Sequence, residues 1–382
     1  MGAADVVAAV DAALGDRLAA HLAGDGLPEA PLGLGGVPAP AEPLCWSSAS
    51  PHLREPPVTV IVCTRDRPAS LQTCLRSILA LREPCEVIVV DNAPRTDATA
   101  DVVRKLDDPR LRRVAEPQPG LSRARNRGAR EARGHVMAFT DDDVVVDRNW
   151  LRAIRVGFGR GPEVACVTGM VAPGEIETPA QAIFETKVAW PASFTPRRFD
   201  LETNRLAHPL YPFMPGVFGA GVNFAVARDA WRVIGDFDEA LGAGSPAKGG
   251  EDLDFFLRVI LSGYAIAYEP AALVWHLHRQ DEDELRRQLH GYGSGLSAFA
   301  TKQLLSRRTA LPAIRRVPHG LARVAASRRP DSDLRIPPRL IAEEIVGLIA
   351  GPLAYLRGTR RARRQDHVQP AVRDLHAAGG QE

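Results

Sequence analysis

The chain has 382 residues, of which 45% are hydrophobic, and its formal net charge is +2. This hydrophobic content excludes an intrinsically disordered chain, and the near-neutral charge excludes the global field that favours nucleic-acid binding. The length suffices for one large α/β domain with extensions, or for two modest domains.

Cysteine usage and the N-terminus indicate a cellular compartment. The five cysteines are scattered and form no CxxC pair, as expected for reduced thiols in a cytosolic protein: Cys45, Cys63, Cys74, Cys85 and Cys166. Residues 1–22 lack a basic start followed by an apolar core, so we expect no signal peptide. No uninterrupted apolar run is long enough to span a bilayer. We therefore expect a cytoplasmic protein.

The first 56 residues precede the ordered domain. Residues 1–23 carry apolar side chains at helical spacing and predict an amphipathic helix. Residues 24–56 are rich in proline and glycine, which predicts a linker or an irregular wrapping segment. We place the start of the main domain at residue 57.

From residue 58 onward, apolar β-branched runs alternate with helical patterns. Strands are predicted over residues 58–64, 85–92, 111–117 and 135–143, and helices over residues 69–81, 97–106 and 122–133. This alternation predicts an α/β fold with a mostly parallel central sheet flanked by helices.

Three polar clusters lie at the carboxyl ends of these strands. They are Thr64-Arg65-Asp66, Asp91-Asn92 and Asp141-Asp142-Asp143. Ligands of open α/β sheets bind at the carboxyl ends of the strands. We therefore expect the three clusters to meet at one edge of the sheet.

The triplet of residues 141–143 has two interpretations. Three carboxylates directly after an apolar strand are costly unless a cation compensates them, and a divalent metal with oxygen ligands would do so and also carry a diphosphate. The alternative is a solvated turn or a helix cap, since aspartate favours both.

Three more clusters are candidates for chemistry. Glu251 and Asp252 follow two glycines at a predicted helix start, which suits a carboxylate general base or simple helix capping. His276 and His278 alternate along a predicted strand, and a metal could use one of them. The run from Arg123 to Arg127 opens a helix after a Pro-Gly turn, which suits phosphate oxygens or a solvated basic face.

In their order along the chain, these segments resemble glycosyltransferase family 2, an inverting family with the GT-A fold. The segments are VTVIVCTRDR (58–67), VIVVDN (87–92), GLSRARNRG (120–128), FTDDD (139–143), GEDLDFFLR (250–258) and the histidine segment. The resemblance covers residues 57–280. It implies a nucleotide-binding half, residues 57–143, and an acceptor half, residues 144–280.

The resemblance also implies roles for single residues. Thr64 and Arg65 line the nucleotide pocket, and Asp91 hydrogen-bonds the base. Arg125 and Asn126 approach the ribose and diphosphate. Three further acidic residues border the nucleotide sugar: Asp141 and Asp142 at the position of the family's DxD motif, and Glu251 next to the catalytic base. The metal ligands are Asp143, Asp141 and His276, with His278 as the alternative histidine, and Asp252 is the catalytic base.

The implied function is transfer of a hexosyl or deoxyhexosyl group from a UDP- or dTDP-sugar, with Mn²⁺ or Mg²⁺. The acceptor is a glycan, a lipid-linked molecule or a small molecule, as in cell-envelope or polysaccharide synthesis. The family's processive members carry a QxxRW motif, which residues 286–293 do not match, so a single transfer is expected. The alternatives are a nucleotidyltransferase and a catalytically inactive protein that binds sugar nucleotides.

Two segments of the sequence each allow two interpretations. Residues 172–216 are rich in proline and aromatics and predict either an acceptor lid or a packed insertion, with Trp190, Phe194, Tyr211 and Phe213 as its large side chains. Residues 281–382 predict a helical, basic extension in which residues 281–300 form a helix that ends at a glycine-broken turn. In residues 340–364 an apolar run precedes five arginines, which suits either an anionic membrane surface or a core-docking helix with a solvated end.

Overall fold

A computed structural model of the chain describes residues 3–24, 57–188, 190–320 and 336–378. Residues 25–56 of the predicted linker lie outside these ranges. The chain divides into two compact units, Met1–Glu55 and Pro56–Glu382. In the first unit, the helix α1 covers Ala3–Gly24. All further elements belong to the second unit.

The second unit alternates strands and helices before it becomes helical. The strands are β1 Val58–Thr64, β2 Cys85–Asn92, β3 Leu111–Glu116, β4 Val136–Asp141, β5 Val144–Val146, β6 Val164–Pro173, β7 Arg197–Phe199, β8 Asn223–Ala227 and β9 Ala265–His276. The helices are α2 Pro68–Leu79, α3 Ala98–Leu106, α4 Leu121–Glu131, α5 Trp150–Phe158, α6 Pro179–Val188, α7 Arg228–Ile234, α8 Glu251–Leu261, α9 Glu282–Leu305, α10 Ala310–Ile314 and α11 Pro338–Ala378, with a 3₁₀ turn at Pro215–Val217.

Within the described ranges the strands form one nine-stranded sheet. Its order is β3-β2-β1-β4-β8-β6-β9-β5, and β7 pairs with β9. The pairs among β1 to β4 are parallel, as the alternation of strands and helices predicts. β8 joins antiparallel to β4 and β6, whereas β6 and β9 are parallel. The expected α/β architecture with flanking helices is therefore confirmed.

The sheet is buried on both faces. Along β1, Val60 and Val62 belong to one apolar cluster, while Ile61 and Cys63 belong to the cluster on the other face. This alternation explains why the strand is apolar at nearly every position. Each large aliphatic side chain buried in this way stabilises the fold by about 1.5–3 kcal/mol.

One expectation for the extension is wrong. The helix α9 does not end at a glycine-broken turn, because it continues through its glycines to Leu305. These glycines provide close backbone contacts: a Cβ at Gly295 would lie 2.5 Å from the carbonyl carbon of Gly249, and a Cβ at Gly293 would lie 2.2 Å from the carbonyl oxygen of Glu344. Tertiary packing therefore offsets the low helix propensity of glycine.

No helix in the part of the chain that the structure describes combines the length and apolarity needed to cross a membrane.

Candidate active site

The register of the parallel strands brings the predicted polar clusters together. Thr64 lies opposite Asp91 in the pairing of β1 with β2, and Cys63 lies opposite Asp141 in the pairing of β1 with β4. The loop after β1 is also tied to the loop after β2, because Asp66 accepts hydrogen bonds from the backbone and side chain of Arg95. The carboxyl ends of three strands thus form one polar edge.

Asp143 and His276 meet through a separate pairing. The short strand β5 runs antiparallel to β9, with Val144 opposite His276. The backbone amide of Leu277 also donates to the carbonyl of Asp143. As a result, Nε2 of His276 lies 3.4 Å from Oδ1 of Asp143.

The three aspartates of the triplet have different partners. Asp142 is buried and accepts hydrogen bonds from the Thr64 hydroxyl at 2.6 Å and from Arg67 at 2.5 Å. Asp143 is paired with Arg67 at 3.0 Å and lies 3.6 Å from Arg279. Asp141 contacts the guanidinium of Arg125 at 3.3 Å. The triplet is therefore neither a solvated turn nor a helix cap.

These environments shift the pKa values of the triplet in opposite directions. Burial raises the pKa of Asp141, although Arg125 opposes that shift. Burial would also raise the pKa of Asp143, but His276 and the guanidinium groups of Arg67 and Arg279 outweigh burial and hold it well below its usual value. Asp143 is thus the carboxylate that most readily stays ionised as a metal ligand.

Two histidines and a glutamate form a chain behind Asp143. Nδ1 of His276 lies 2.8 Å from Nδ1 of His278, and Nε2 of His278 lies 2.5 Å from Oε1 of Glu185 on α6. Both histidines are buried. Burial, followed by the nearby His276, lowers the pKa of His278, which favours its neutral form. The aromatic rings of Phe184 and Trp190 pack against both imidazoles.

The pair Glu251 and Asp252 begins helix α8. Gly250 precedes it in the left-handed conformation, with a φ of 86°. Asp252 is partly exposed, and Oδ2 accepts a hydrogen bond from the backbone amide of Gly221 at 3.0 Å. Glycine is required at 221, because a Cβ there would lie 2.8 Å from the side chain of Asp252.

Arg125 connects the triplet to this pair. Its guanidinium is buried, donates to Glu251 at 2.8 Å and to the carbonyl of Gly221 at 2.8 Å, and also contacts Asp141. Burial, followed by the charge of Asp252, raises the pKa of Glu251 to about 7, and Arg125 opposes that shift. The guanidinium therefore fixes two acidic segments to each other.

Asn126, predicted to approach the ribose, is committed elsewhere. Its side chain is buried, accepts a hydrogen bond from the Phe237 amide at 2.8 Å and donates to the Phe237 carbonyl at 3.0 Å. These two hydrogen bonds hold the segment around Phe237 against α4. The geometry gives no support to a ribose contact by this residue.

Asp91, predicted to bind the base, has one unpaired oxygen. Arg113 pairs with Oδ2 at 2.8 Å, but Oδ1 is buried and finds no hydrogen-bond partner among the described residues. An unpaired buried carboxylate oxygen is unfavourable unless a ligand supplies a donor. Arg65, by contrast, has an exposed side chain at the same edge.

The ligands for a metal are not preassembled as a cluster. Among the residues described, no three histidine, cysteine, aspartate or glutamate side chains are grouped to hold an ion. Asp143 and His276 nevertheless fit two positions, since two donors each about 2 Å from one ion lie about 3–4 Å apart.

Sequence reasoning missed three residues of this site: Arg67, Arg279 and Glu185. A signal was present for the two arginines, because each follows a strand end that carries another site residue. Glu185 gave no local signal, because it lies 93 positions from its partner His278.

Comparisons with known proteins found similar sequences and a similar fold. Residues 59–226 match the model of the family described as glycosyl transferase family 2. The chain is 28% identical over 249 residues to the pre-mycofactocin glycosyltransferase of Mycobacterium tuberculosis, covering 64% of this chain and 48% of the relative. It is 28% identical over 190 residues to the glucosyl-dolichyl phosphate glucuronosyltransferase of Haloferax volcanii, covering 48% of this chain and 57% of the relative. It is 30% identical over 227 residues to the succinoglycan biosynthesis protein ExoM of Rhizobium meliloti, covering 57% of this chain and 65% of the relative.

A solved structure supports the fold. The mannosyltransferase PcManGT from Pyrobaculum calidifontis, in complex with GDP-Man and Mn²⁺, superposes with a TM-score of 0.51 at 20% identity and covers 82% of this chain and 94% of that one. At this identity the likeness shows the fold alone. The chain spans about half the length of the first two relatives. The fold is therefore the GT-A fold, and residues 59–226 carry the similarity to glycosyltransferase family 2.

Proposed function

We propose that this chain is an inverting glycosyltransferase that moves a hexosyl or deoxyhexosyl group from a nucleotide-diphosphate donor to an acceptor hydroxyl in a single transfer. One observation carries the proposal. Arg125 bridges Asp141 and Glu251 and so joins the acidic triplet to the helix start that bears Asp252. Donor-side carboxylates and a candidate base are thereby held in one site.

The nucleotide would bind at the ends of β1 and β2. The unpaired Oδ1 of Asp91 suits the imide N–H of uracil or thymine, which supports a UDP- or dTDP-sugar. Thr64 and Arg65 border the same edge. Arg67 and Arg279 are partly exposed cations at the triplet and suit the oxygens of the diphosphate.

A divalent cation, Mn²⁺ or Mg²⁺, would be held by Asp143 and His276, with Asp141 close to the donor. When bound, it would neutralise negative charge on the departing diphosphate. The protein's own contribution is to keep Asp143 ionised and to direct Nε2 of His276 towards the same point.

Asp252 is the proposed general base. Its carboxylate takes the proton from the acceptor hydroxyl while the acceptor oxygen forms a bond to the anomeric carbon. The bond from that carbon to the diphosphate oxygen breaks in the same displacement, so the configuration inverts. The amide of Gly221 fixes the carboxylate, and general-base help is worth about 10²–10⁴-fold in rate.

The acceptor side would lie beside the histidine pair. Of the aromatic residues in 172–216, Trp190 packs on the histidines, whereas Tyr211 is buried in the core against Phe218. Tyr292 of α9 adds a third ring near Phe184. We propose a glycan, lipid-linked or small-molecule acceptor here, met at the cytoplasmic side of a membrane or in the cytoplasm.

The test is release of nucleoside diphosphate from a panel of sugar nucleotides that includes UDP-, dTDP- and GDP-linked sugars. Each reaction is run with Mn²⁺, with Mg²⁺ and with EDTA. We expect metal-dependent release from one donor, lost in Asp143→Ala and kept in the exposed control Asp229→Ala. Release of pyrophosphate would instead indicate a nucleotidyltransferase. Failure to bind every donor in calorimetry with metal present would refute the proposal.

A further inference from the structure

The C-terminal helix α11 has two dissimilar faces. One face packs against α9 so closely that side chains are excluded. A Cβ at Gly347 would lie 2.2 Å from the carbonyl oxygen of His290, and a Cβ at Gly351 would lie 1.9 Å from Oγ of Ser297. Tyr355 continues this face and contacts Asp238 at 3.2 Å. This face is therefore already occupied by the protein itself.

The other face carries an apolar stripe with no cover among the described residues. Its members recur every three or four positions, and their exposed fractions are 52% for Val346, 76% for Ile349, 52% for Leu353 and 41% for Leu356. This spacing aligns them along one side of a helix. Contiguous exposed apolar side chains of this size mark an interaction surface rather than ordinary surface composition.

The same side of the helix continues into a basic cluster. Its members are all exposed: Arg357, Arg360, Arg361, Arg363 and Arg364. No acidic residue interrupts residues 357–364, so the cluster has a charge of +5 directly after the stripe. An apolar stripe that adjoins cations of one sign complements a surface that is apolar beneath an anionic layer.

We propose that this side of α11, the stripe at 346–356 with the basic cluster at 357–364, docks the protein on a membrane that contains anionic lipids. The helix lies on the membrane in this arrangement and does not cross it. The apolar side chains enter the boundary between headgroups and acyl chains, while the arginines contact lipid phosphates. The close packing of α11 on α9 holds the rest of the protein at that surface.

The test is cosedimentation of the full chain with vesicles of phosphatidylcholine alone or mixed with phosphatidylglycerol. We expect binding to the anionic vesicles only, and its loss at high salt. Replacing Arg360 and Arg361 by glutamine should weaken binding about fivefold per residue. The double variant Ile349→Asp, Leu353→Asp should reduce it more than about tenfold.

Matched controls are available on exposed helix surfaces elsewhere. Val233→Asp changes an apolar residue that is 65% exposed, and Arg104→Gln changes an exposed arginine. Both controls should bind like the wild type, and circular dichroism should show every variant folded. Equal binding to neutral and anionic vesicles, or wild-type binding by both stripe and cluster variants, would overturn the proposal. The proposal would also be overturned if the chain did not bind vesicles but self-associated, and if Ile349→Asp abolished the self-association. That result would assign the stripe to a second copy of the chain.

Discussion

Replacing Glu185 by glutamine tests how the protein prepares His276 to bind a metal ion. A carboxylate can only accept, so Nε2 of His278 must carry the proton in its contact with Glu185. Burial favours the neutral form of His278, in which its Nδ1 accepts from Nδ1–H of His276. The remaining nitrogen of His276, Nε2, then faces Oδ1 of Asp143, and a bound metal ion would take the place of any proton on it. A cation between these two atoms would satisfy both.

The expected loss in metal affinity follows from the hydrogen bond to His278 that glutamine weakens. A hydrogen bond to a charged group contributes about 1.5–3 kcal/mol, and one between neutral groups about 0.5–1.5 kcal/mol. The difference, about 1–1.5 kcal/mol, corresponds to about fivefold to tenfold weaker metal binding. Glutamine can also donate to His278 and so favour the opposite tautomer, with a proton on Nε2 of His276. The effect should therefore lie near the lower end of the 10–100-fold range known for residues behind metal ligands.

The assay is titration with Mn²⁺ alone, followed by the electron paramagnetic resonance signal of the free ion. We expect weaker binding by Glu185→Gln and wild-type binding by Glu177→Gln, which removes a nearby exposed carboxylate. Nitrogen-15 spectra of the imidazoles should show a proton on Nδ1 of His276 in the wild type. The reasoning fails if Glu185→Gln binds Mn²⁺ like the wild type while Asp143→Ala does not bind it, or if the spectra show no proton on Nδ1 of His276.

Three further predictions concern the acidic residues and their shared arginine. Asp252→Asn should lower turnover about 10²–10⁴-fold and leave the Kd for donor unchanged, because only the base is lost; a wild-type rate would show that another group takes the proton. Arg125→Met should lower the free energy of unfolding in urea by about 3–5 kcal/mol, because Asp141 and Glu251 lose their buried partner. Arg127→Met on the helix surface should have a small effect. Equal losses in the two variants would contradict the bridging role of Arg125. The pKa of Glu251 is raised from 4.5 to about 7, so its contribution to stability is fully present below pH 4.5 and is lost as pH rises through 7, by up to about 3 kcal/mol. Unfolding measured from acid to neutral pH should show this slope in the wild type and lack it in Glu251→Gln; equal slopes would refute the assignment.

The regular part of the fold was predictable because local and tertiary requirements agree there. The strands β1 and β2 begin and end at the predicted residues, since both are continuous apolar runs buried on both faces. The parallel order of these strands then required the clusters at Thr64, Asp91 and Asp141 to share an edge. No pairwise contact had to be guessed to reach that result.

The less predictable features depend on contacts that periodicity does not encode. The strand β5 has three residues, too few for a pattern, yet its pairing with β9 is what brings Asp143 to His276. The glycines of α9 predict a helix break from sequence, and only the contact with Gly249 and with α11 explains why the helix continues. The partner of His278 comes from α6, far along the chain.

The arginines show why residue type and position are insufficient to assign a role. Arg125 follows a Pro-Gly turn at a helix start, which is a favourable place for binding phosphate. In the fold its charge is buried and paired with the carboxylates of Asp141 and Glu251, so it has no exposed donor for a ligand. Arg67 and Arg279 attracted no notice in the sequence, but both reach Asp143 from positions that remain open to solvent. A buried cation in a site of many carboxylates stabilises the protein, whereas a partly exposed one is free to exchange a carboxylate for a phosphate oxygen. Burial, rather than the local motif, is therefore the property that separates the arginine that holds the site together from the arginines that suit the donor.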